Sequence, residues 1–522
     1  MRKLVFLLFI PIMGIAQDAY ERQPGIDILS YDVQIELNDS NDRITAKSEI
    51  EFALNNDVEK LFLDLTNEQE GKGMLVQGVF FMEEALSFTH ENDRLTIELN
   101  QQARKDRSVR LTILYEGEPS DGLIISKNKH GDRTFFGDNW PNRAHNWFPC
   151  IDHPSDKAAI KFDVLAPSHY QVISNGEKRI SEKLNGGFTR TIYSTPLILP
   201  TKVMVIGVAK FSITQCESSD KETQSSAYVY PQEEEDGFSD YCSATEILAW
   251  FENKIAPYPY EKLAHVQSKT RYGGMENAGC IFYHENSIDG KQGSKYLFAH
   301  EIAHQWFGNS ASEKDWHHVW LSEGFATYLT EVYKQETAGE VAFKEGMEQA
   351  RMKVVRFQTK YPEAKIIDTN ITNLNQLLSP MTYQKAAWML HMLRTIIGDV
   401  AFWHGIKSYY NKYQFGNAMS ADFQLEMEKA SNKKLDKFFE TWLYQSGIAK
   451  VESTFKYKKK KKELTVLLKQ PKRNWFVIPV QFNWSAKDST VMVAPKMKIT
   501  FENIEKGELE WKFDLNSNVL KW

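Results

Sequence analysis

Apolar and polar positions alternate with a period of two through much of the first 200 residues. Tyr31, Val33, Ile35 and Leu37 make one such run and Leu61, Leu63 and Leu65 another, with Asn, Asp and Gly clusters between them. Successive side chains of a strand point to opposite faces, so this alternation predicts half-buried strands joined by turns, and 26–211 is expected to be all β. At 238–254 the period becomes helical, and Pro257 and Pro259 end it. Short strands are predicted at 265–269 and 280–284, then helices up to Tyr444, among them 339–357 and 382–397. After Gly447 the pattern returns to strands, at 451–457, 463–468, 476–482 and 509–515, which predicts a small β-sandwich. Five consecutive lysines, 458–462, fall between the first two. They read as a solvated hairpin tip that discourages edge pairing, with attraction to an anionic envelope surface as the sharper alternative.

The expected layout is a multidomain α+β chain: 17–211, 212–447 and 448–522, preceded by 1–16. MRKLVFLLFIPIMGIA has two basic residues, an apolar run and small residues before Gln17, the form of a cleaved secretory signal. The run is short for a bilayer span, and no later segment is apolar enough for one. The expected location is therefore secreted or periplasmic. With 42% apolar and 13% aromatic residues a large core is affordable, and a formal charge of −6 gives no reason to expect nucleic acid. Cys150, Cys216, Cys242 and Cys280 have no zinc-ribbon spacing; Cys216 and Cys242 fit a disulfide or free buried thiols equally well.

Candidate chemistry concentrates in YLFAHEIAHQWFGN at 296–309, which carries H-E-x-x-H as His300, Glu301 and His304. Ser294 suits a helix start and Gly308 a helix end, so the stretch reads as one helix. Residues four apart share a helix face, which lets both imidazoles reach one divalent ion with Glu301 beside it. A third ligand gives the pattern weight. After eighteen residues Glu323 follows on a second apolar-periodic helix. Two histidines and a carboxylate, with a fourth position left over, are the ligands of a catalytic rather than a structural zinc.

Upstream, 271–280 reads RYGGMENAGC. GGMEN followed by H-E-x-x-H, eighteen residues and Glu resembles the aminopeptidase N family of zinc exopeptidases, gluzincins that include leukotriene hydrolase. The resemblance extends to WFPCIDHPSDKA at 147–158, to TYQKAAW around Tyr383 and to W-x-x-Q-x-G at 442–447. It implies an N-terminal β saddle, a thermolysin-like α/β catalytic domain and a C-terminal β-sandwich. It also implies one zinc ion per chain on His300, His304 and Glu323, Glu301 as general base and Tyr383 as donor to the oxyanion. Gly273, Gly274, Met275, Glu276 and Asn277 would contact a peptide substrate, with Glu276 taking its free amino group. Relatives usually add a Glu or Gln from the β domain; alignment puts Trp140 there, so Asp138 is the expected substitute.

The implied activity is hydrolysis of the first peptide bond of peptides with a free N-terminus. Many relatives continue into a long helical domain over the cleft. Here only strands are read after Gly447, so an open cleft is expected, indifferent to substrate length and to the substrate carboxylate. Two other functions remain open: epoxide hydrolysis on the same metal, and peptide binding without catalysis.

Overall fold

The structure is a computed structural model and describes residues 18–99, 105, 107–217, 223–473, 475–484, 487–493, 496–502 and 519–521. The leader at 1–16 and the strand expected at 509–515 lie outside these residues.

Among the described residues the N-terminal part folds as three sheets. The largest has eight strands, in the order Glu177–Lys183, Phe188–Pro200, Lys157–Pro167, Ile26–Glu36, Ile44–Leu54, Ser108–Glu118, Gly73–Phe81 and Glu84–Ala85. Its centre is the parallel pair Ile26–Glu36 and Lys157–Pro167, with Val33 opposite Phe162. The period-two pattern explains the burial: Ile26 and Ile28 point inward, a bulge intervenes before Ser30, and Tyr31, Val33 and Ile35 then resume the inward face. A three-stranded sheet (Lys60–Asp64, Arg94–Glu98, Phe88–Glu91) flanks it. A four-stranded sheet (Gln171–Ser174, Ile206–Ala209, Arg133–Gly137, Leu123–Lys127) faces the next domain, where Phe136 meets Phe282 edge-on at 5.5 Å.

From Ser212 the strands belong to a different sheet, ordered Ser212–Cys216, Gln224–Val229, Lys262–Ser268, Cys280–His284 and Gly274–Met275. The second, third and fourth are parallel, and Gly274–Met275 forms an antiparallel edge. The helix expected at 238–254 is two helices, Glu234–Cys242 and Ala244–Lys254, broken at Ser243. A disulfide joins Cys216 to Cys242, while Cys150 and Cys280 are free and buried. Helices Lys295–His304, Trp320–Ala338, Glu340–Lys360, Ala386–Ile397, Asp399–Tyr413, Ser420–Ser431 and Asp436–Leu443 complete this domain.

Among the described residues the C-terminal region holds two small sheets, Glu452–Lys458 with Glu463–Lys469 and Lys496–Phe501, and Ile478–Trp484 with Lys487–Val493. The lysine run is the tip of the first hairpin, with Lys459, Lys460 and Lys461 exposed.

Buried cations join the N-terminal domain to the second. Lys157 Nζ donates to the carbonyls of Asn309, Ser310 and Gly416 at 2.8–3.1 Å, and Lys202 pairs with Glu313 at 2.5 Å. Asn175 donates to the Ala278 carbonyl. These contacts converge on the segments that flank the H-E-x-x-H helix.

Candidate metal centre

The helix carrying the motif, Lys295–His304, is shorter than its sequence suggests. Ser294 precedes it but its hydroxyl donates to the Ser287 carbonyl instead of capping it. At the other end Gly308 adopts φ +122°, a region costly for residues with a Cβ, and 305–309 is a turn rather than more helix. The change of direction matters chemically. Gln305 Nε2 and Asn309 Nδ2 both donate to the Glu276 carbonyl, at 2.8 and 2.5 Å, and Gln305 Oε1 accepts from the Gly279 amide at 3.0 Å. The residues after the motif thus hold GGMEN against the motif. No spacing rule marks Gln305 or Asn309 in the sequence.

His300, His304 and Glu323 converge. Their facing atoms are separated by 3.2 Å (Nε2 to Nε2), 3.5 Å (His300 to Glu323) and 3.3 Å (His304 to Glu323). A tetrahedron with ligand bonds of about 2.0–2.1 Å has edges of about 3.3–3.4 Å, so the three atoms are spaced to fit zinc. Glu323 Oε2 is buried and has no hydrogen-bond partner among the described residues, as a ligand oxygen reserved for a cation would be. Behind the set, His304 Nδ1 lies 3.2 Å from the Phe307 carbonyl and 2.9 Å from Ser322 Oγ. A carbonyl only accepts, so Nδ1 carries the proton and Nε2 presents its lone pair to the ion. Burial lowers the pKa of His304, but the Glu323 carboxylate overrides this and raises it to about 9.

Glu301 lies beside the ligands, and burial holds its pKa well above the ordinary carboxylate range. Gly274 makes room for it: a Cβ there would come within 2.5–2.6 Å of the end of the Glu301 side chain. A Cβ at Gly273 would meet only Leu297, at an ordinary 3.5 Å. Glu276 is 4% exposed, its Oε1 lacks a partner among the described residues, and burial raises its pKa. Tyr383 stands on a π-helical turn, Met381–Lys385, with its ring parallel to His300 at 6.1 Å. Burial and the nearby carboxylates of Glu323 and Glu276 keep its hydroxyl protonated.

All these side chains open on one cleft of about 390 Å³. Gly273, Gly274, Met275 and Glu276 line it, whereas Asn277 is buried beneath, outside its lining. Asp138 does not supply the expected second amine contact. Its carboxylate accepts from Arg143 at 2.5 Å and from the Arg271 amide at 3.2 Å, and it is absent from the cleft lining. Trp140 is in the cleft instead, edge-on to Tyr272 and to Trp316.

A β-rich domain clamped on an αβ domain with an H-E-x-x-H helix and a downstream glutamate defines the architecture of a mononuclear metallohydrolase. Comparison with known proteins narrows this. The Peptidase M1 N-terminal domain matches residues 28–203 and the Peptidase family M1 domain matches residues 240–442. These successive parts of one family take in most of the chain, which belongs to peptidase family M1. It is similar to "Probable aminopeptidase 2" of Sulfurisphaera tokodaii, 28% identical over 58% of this chain and 40% of the relative. It also resembles human "Glutamyl aminopeptidase", 27% identical over 59% of this chain and 34% of the relative. The matches thus span well under half the length of these relatives. The M1 zinc metallopeptidase of Deinococcus radiodurans has the same fold, with a TM-score of 0.67 and 19% identity over 81% of this chain and 94% of that one.

Proposed function

We propose that the protein is a zinc aminopeptidase that removes the first residue from peptides with a free amino terminus. The observation that carries this reading is Glu276: a buried carboxylate with an oxygen unpartnered among the described residues, fixed through its carbonyl to the residues just after the metal-binding motif. A substrate ammonium would satisfy it with a charge-assisted hydrogen bond. Anchoring the ammonium there sets the first peptide bond at the ligand set and excludes chains with blocked termini.

When bound by His300, His304 and Glu323, zinc supplies Lewis acidity that polarises the scissile carbonyl and makes water nucleophilic near neutral pH. Glu301 accepts the proton of the attacking water and returns it to the departing amine. The Tyr383 hydroxyl donates to the developing oxyanion. Gly274 leaves Glu301 the space to do this.

The test compares peptides with free and acetylated N-termini on wild-type and Glu301→Gln protein. Free-amine peptides should lose one residue at a time, acetylated ones should resist, and Glu301→Gln should keep its zinc while losing nearly all turnover. Efficient cleavage of acetylated peptides at internal bonds would overturn the reading.

We also infer export to a secreted or periplasmic location. The signal-like 1–16 and the Cys216–Cys242 disulfide, a bond that persists in oxidising compartments, support it. Among the described residues no helix is long and apolar enough to cross a membrane. A native protein whose N-terminal residue is Met1 would contradict it.

A further inference from the structure

The two ends of the cleft differ in what they offer a substrate. The GGMEN strand runs alongside the motif helix, with Gly273 nearest Leu297 and the Glu276 carbonyl bonded to Gln305 and Asn309. The amine anchor is therefore at the C-terminal end of that helix. Its N-terminal end is marked by Tyr296, whose ring lies 4.7 Å from Lys334 Nζ, and Lys334 in turn binds Glu331. Glu331 lines the cleft too, and it stands on the helix of Glu323, eight residues beyond that ligand in the direction of the Lys334–Tyr296 contact. A peptide anchored by its ammonium at Glu276 and cut at the metal must send its leaving portion toward Glu331.

Charge makes Glu331 notable. Among the described residues the cleft lining includes four carboxylates, Glu276, Glu301, Glu323 and Glu331, and no lysine or arginine. A divalent ion and a substrate ammonium bring three positive charges, enough to balance the first three. Glu331 is left with Lys334, one turn on along the same helix, whose Nζ is 3.0 Å from both carboxylate oxygens, and with the more distant positive field of Lys353. Burial raises the Glu331 pKa against the pull of both lysines, so a further cation beside it would favour the charged form; a carboxylate has about four lone-pair sites, and one ammonium does not exhaust it. Of the pair, the carboxylate rather than the ammonium lines the cleft. The neighbouring helix admits it: a Cβ at Gly346 would run into the Glu331 carboxylate.

Resting on the aminopeptidase reading, we propose that Glu331 forms a cation-accepting subsite for the leaving peptide, so that the enzyme favours substrates with lysine or arginine as second or third residue. Reach limits the position to the second or third residue. Glu331 is eight residues beyond Glu323, about 12 Å along the helix at about 1.5 Å per residue. The third residue of an extended peptide starts about 3.4 Å past the scissile bond, one residue's length, and a lysine side chain there extends well beyond that toward Glu331. Successive side chains of an extended chain alternate, so the preference falls on one of the two positions and not on both.

The experiment uses the zinc-loaded full chain and tetrapeptide amides that begin with alanine and carry lysine, norleucine or glutamate at the second or the third position. At one position lysine should raise kcat/KM about tenfold over norleucine, the lower end of what a charge-assisted contact gives, and glutamate should lower it. Glu331→Gln should bring the lysine-to-norleucine ratio to within about twofold. Lys334→Met, which removes the competing ammonium, should widen it. Equal kcat/KM for all three side chains at both positions, with the peptides still hydrolysed, overturns the subsite and leaves the peptidase standing. A lysine preference that survives Glu331→Gln unchanged overturns its assignment to Glu331. Failure to hydrolyse any of the six overturns the aminopeptidase reading, and the subsite falls with it.

Discussion

Replacing Ser322 by alanine isolates the support behind one metal ligand. Its hydroxyl is 2.9 Å from His304 Nδ1, and the Phe307 carbonyl is the only other partner of that nitrogen among the described residues, at a longer 3.2 Å. The outer partner of a ligand histidine fixes its tautomer and ring orientation, and losing it typically costs 10–100-fold in metal affinity. Here the substitution removes the nearer of two partners and leaves the carbonyl to hold the tautomer. The loss should lie near the lower limit, about tenfold or about 1.4 kcal/mol in zinc affinity. The hydroxyl's other contact, to the Phe307 carbonyl, is a weak 3.4 Å, so stability should change little. Zinc affinity would be measured by competition with a chromophoric chelator, and kcat on a free-amine peptide at saturating zinc. The expected outcome is a tenfold weaker zinc Kd with kcat within about threefold of wild type. Unchanged affinity would show that the Phe307 carbonyl alone sets the imidazole. A fall in kcat that excess zinc does not restore would show that Ser322 acts on the reaction rather than on the ligand.

Three further predictions test other parts of the site. Tyr383→Phe should retain zinc and lower kcat by roughly 10²–10³ with little change in KM, and near-normal turnover would assign the oxyanion to another donor. Gly274→Val should retain zinc yet cost about 10²-fold in kcat, because its added carbons displace the Glu301 carboxylate by about 1 Å, whereas Gly273→Ala, with only a 3.5 Å contact ahead of it, should behave like wild type. Lys385 is fully buried, donates to the Gln445 carbonyl, and burial lowers its pKa to about 7. Between pH 7 and about 10 the unfolded chain then binds the extra proton, so this group makes stability rise with pH, by at most about 1.4 kcal/mol per unit. Denaturant titrations across that range should show a shallower rise in Lys385→Met; parallel curves would refute the buried-amine assignment.

The metal ligands were legible because their geometry is local. His300 and His304 are one helical turn apart, and Glu323 follows at a fixed separation on the next helix, so spacing alone predicts the triad that the structure assembles. Strand alternation likewise located the β domain, since each strand buries its own alternate residues. What the sequence concealed depends on partners far along the chain. Gln305 and Asn309 act on the Glu276 carbonyl from 29 and 33 residues away, and nothing in the composition of QWFGN announces a carbonyl waiting upstream. The same lack of context misled the reading of Asp138, which as a carboxylate near the expected position looked available for an amine. Arg143, five residues on, claims it. The helix start failed for a related reason: Ser294 is a good cap by type, but the Ser287 carbonyl competes for its hydroxyl. Cys216 and Cys242 could be paired only once a strand edge and a helix had been placed side by side.

The distance between the metal set and Tyr383 is itself governed by two small residues. Gly324 follows the ligand Glu323, and a Cβ on it would lie 2.5 Å from the Ala386 Cβ and 3.3 Å from the Thr382 carbonyl. The second ligand helix therefore packs on the π-turn of Tyr383 and the helix after it with only the Ala386 methyl at the contact. Because the methyl group is already on Ala386, the facing position has room only for glycine. The pair acts as a spacer. Any added carbon on either side would push the helix of Glu323 away from the turn that carries Tyr383. The Ser322, Glu323, Gly324 succession is then a division of labour on three adjacent residues of one helix: Ser322 bonds His304, Glu323 completes the cluster with both histidines, and Gly324 fixes how near the turn of Tyr383 can pack.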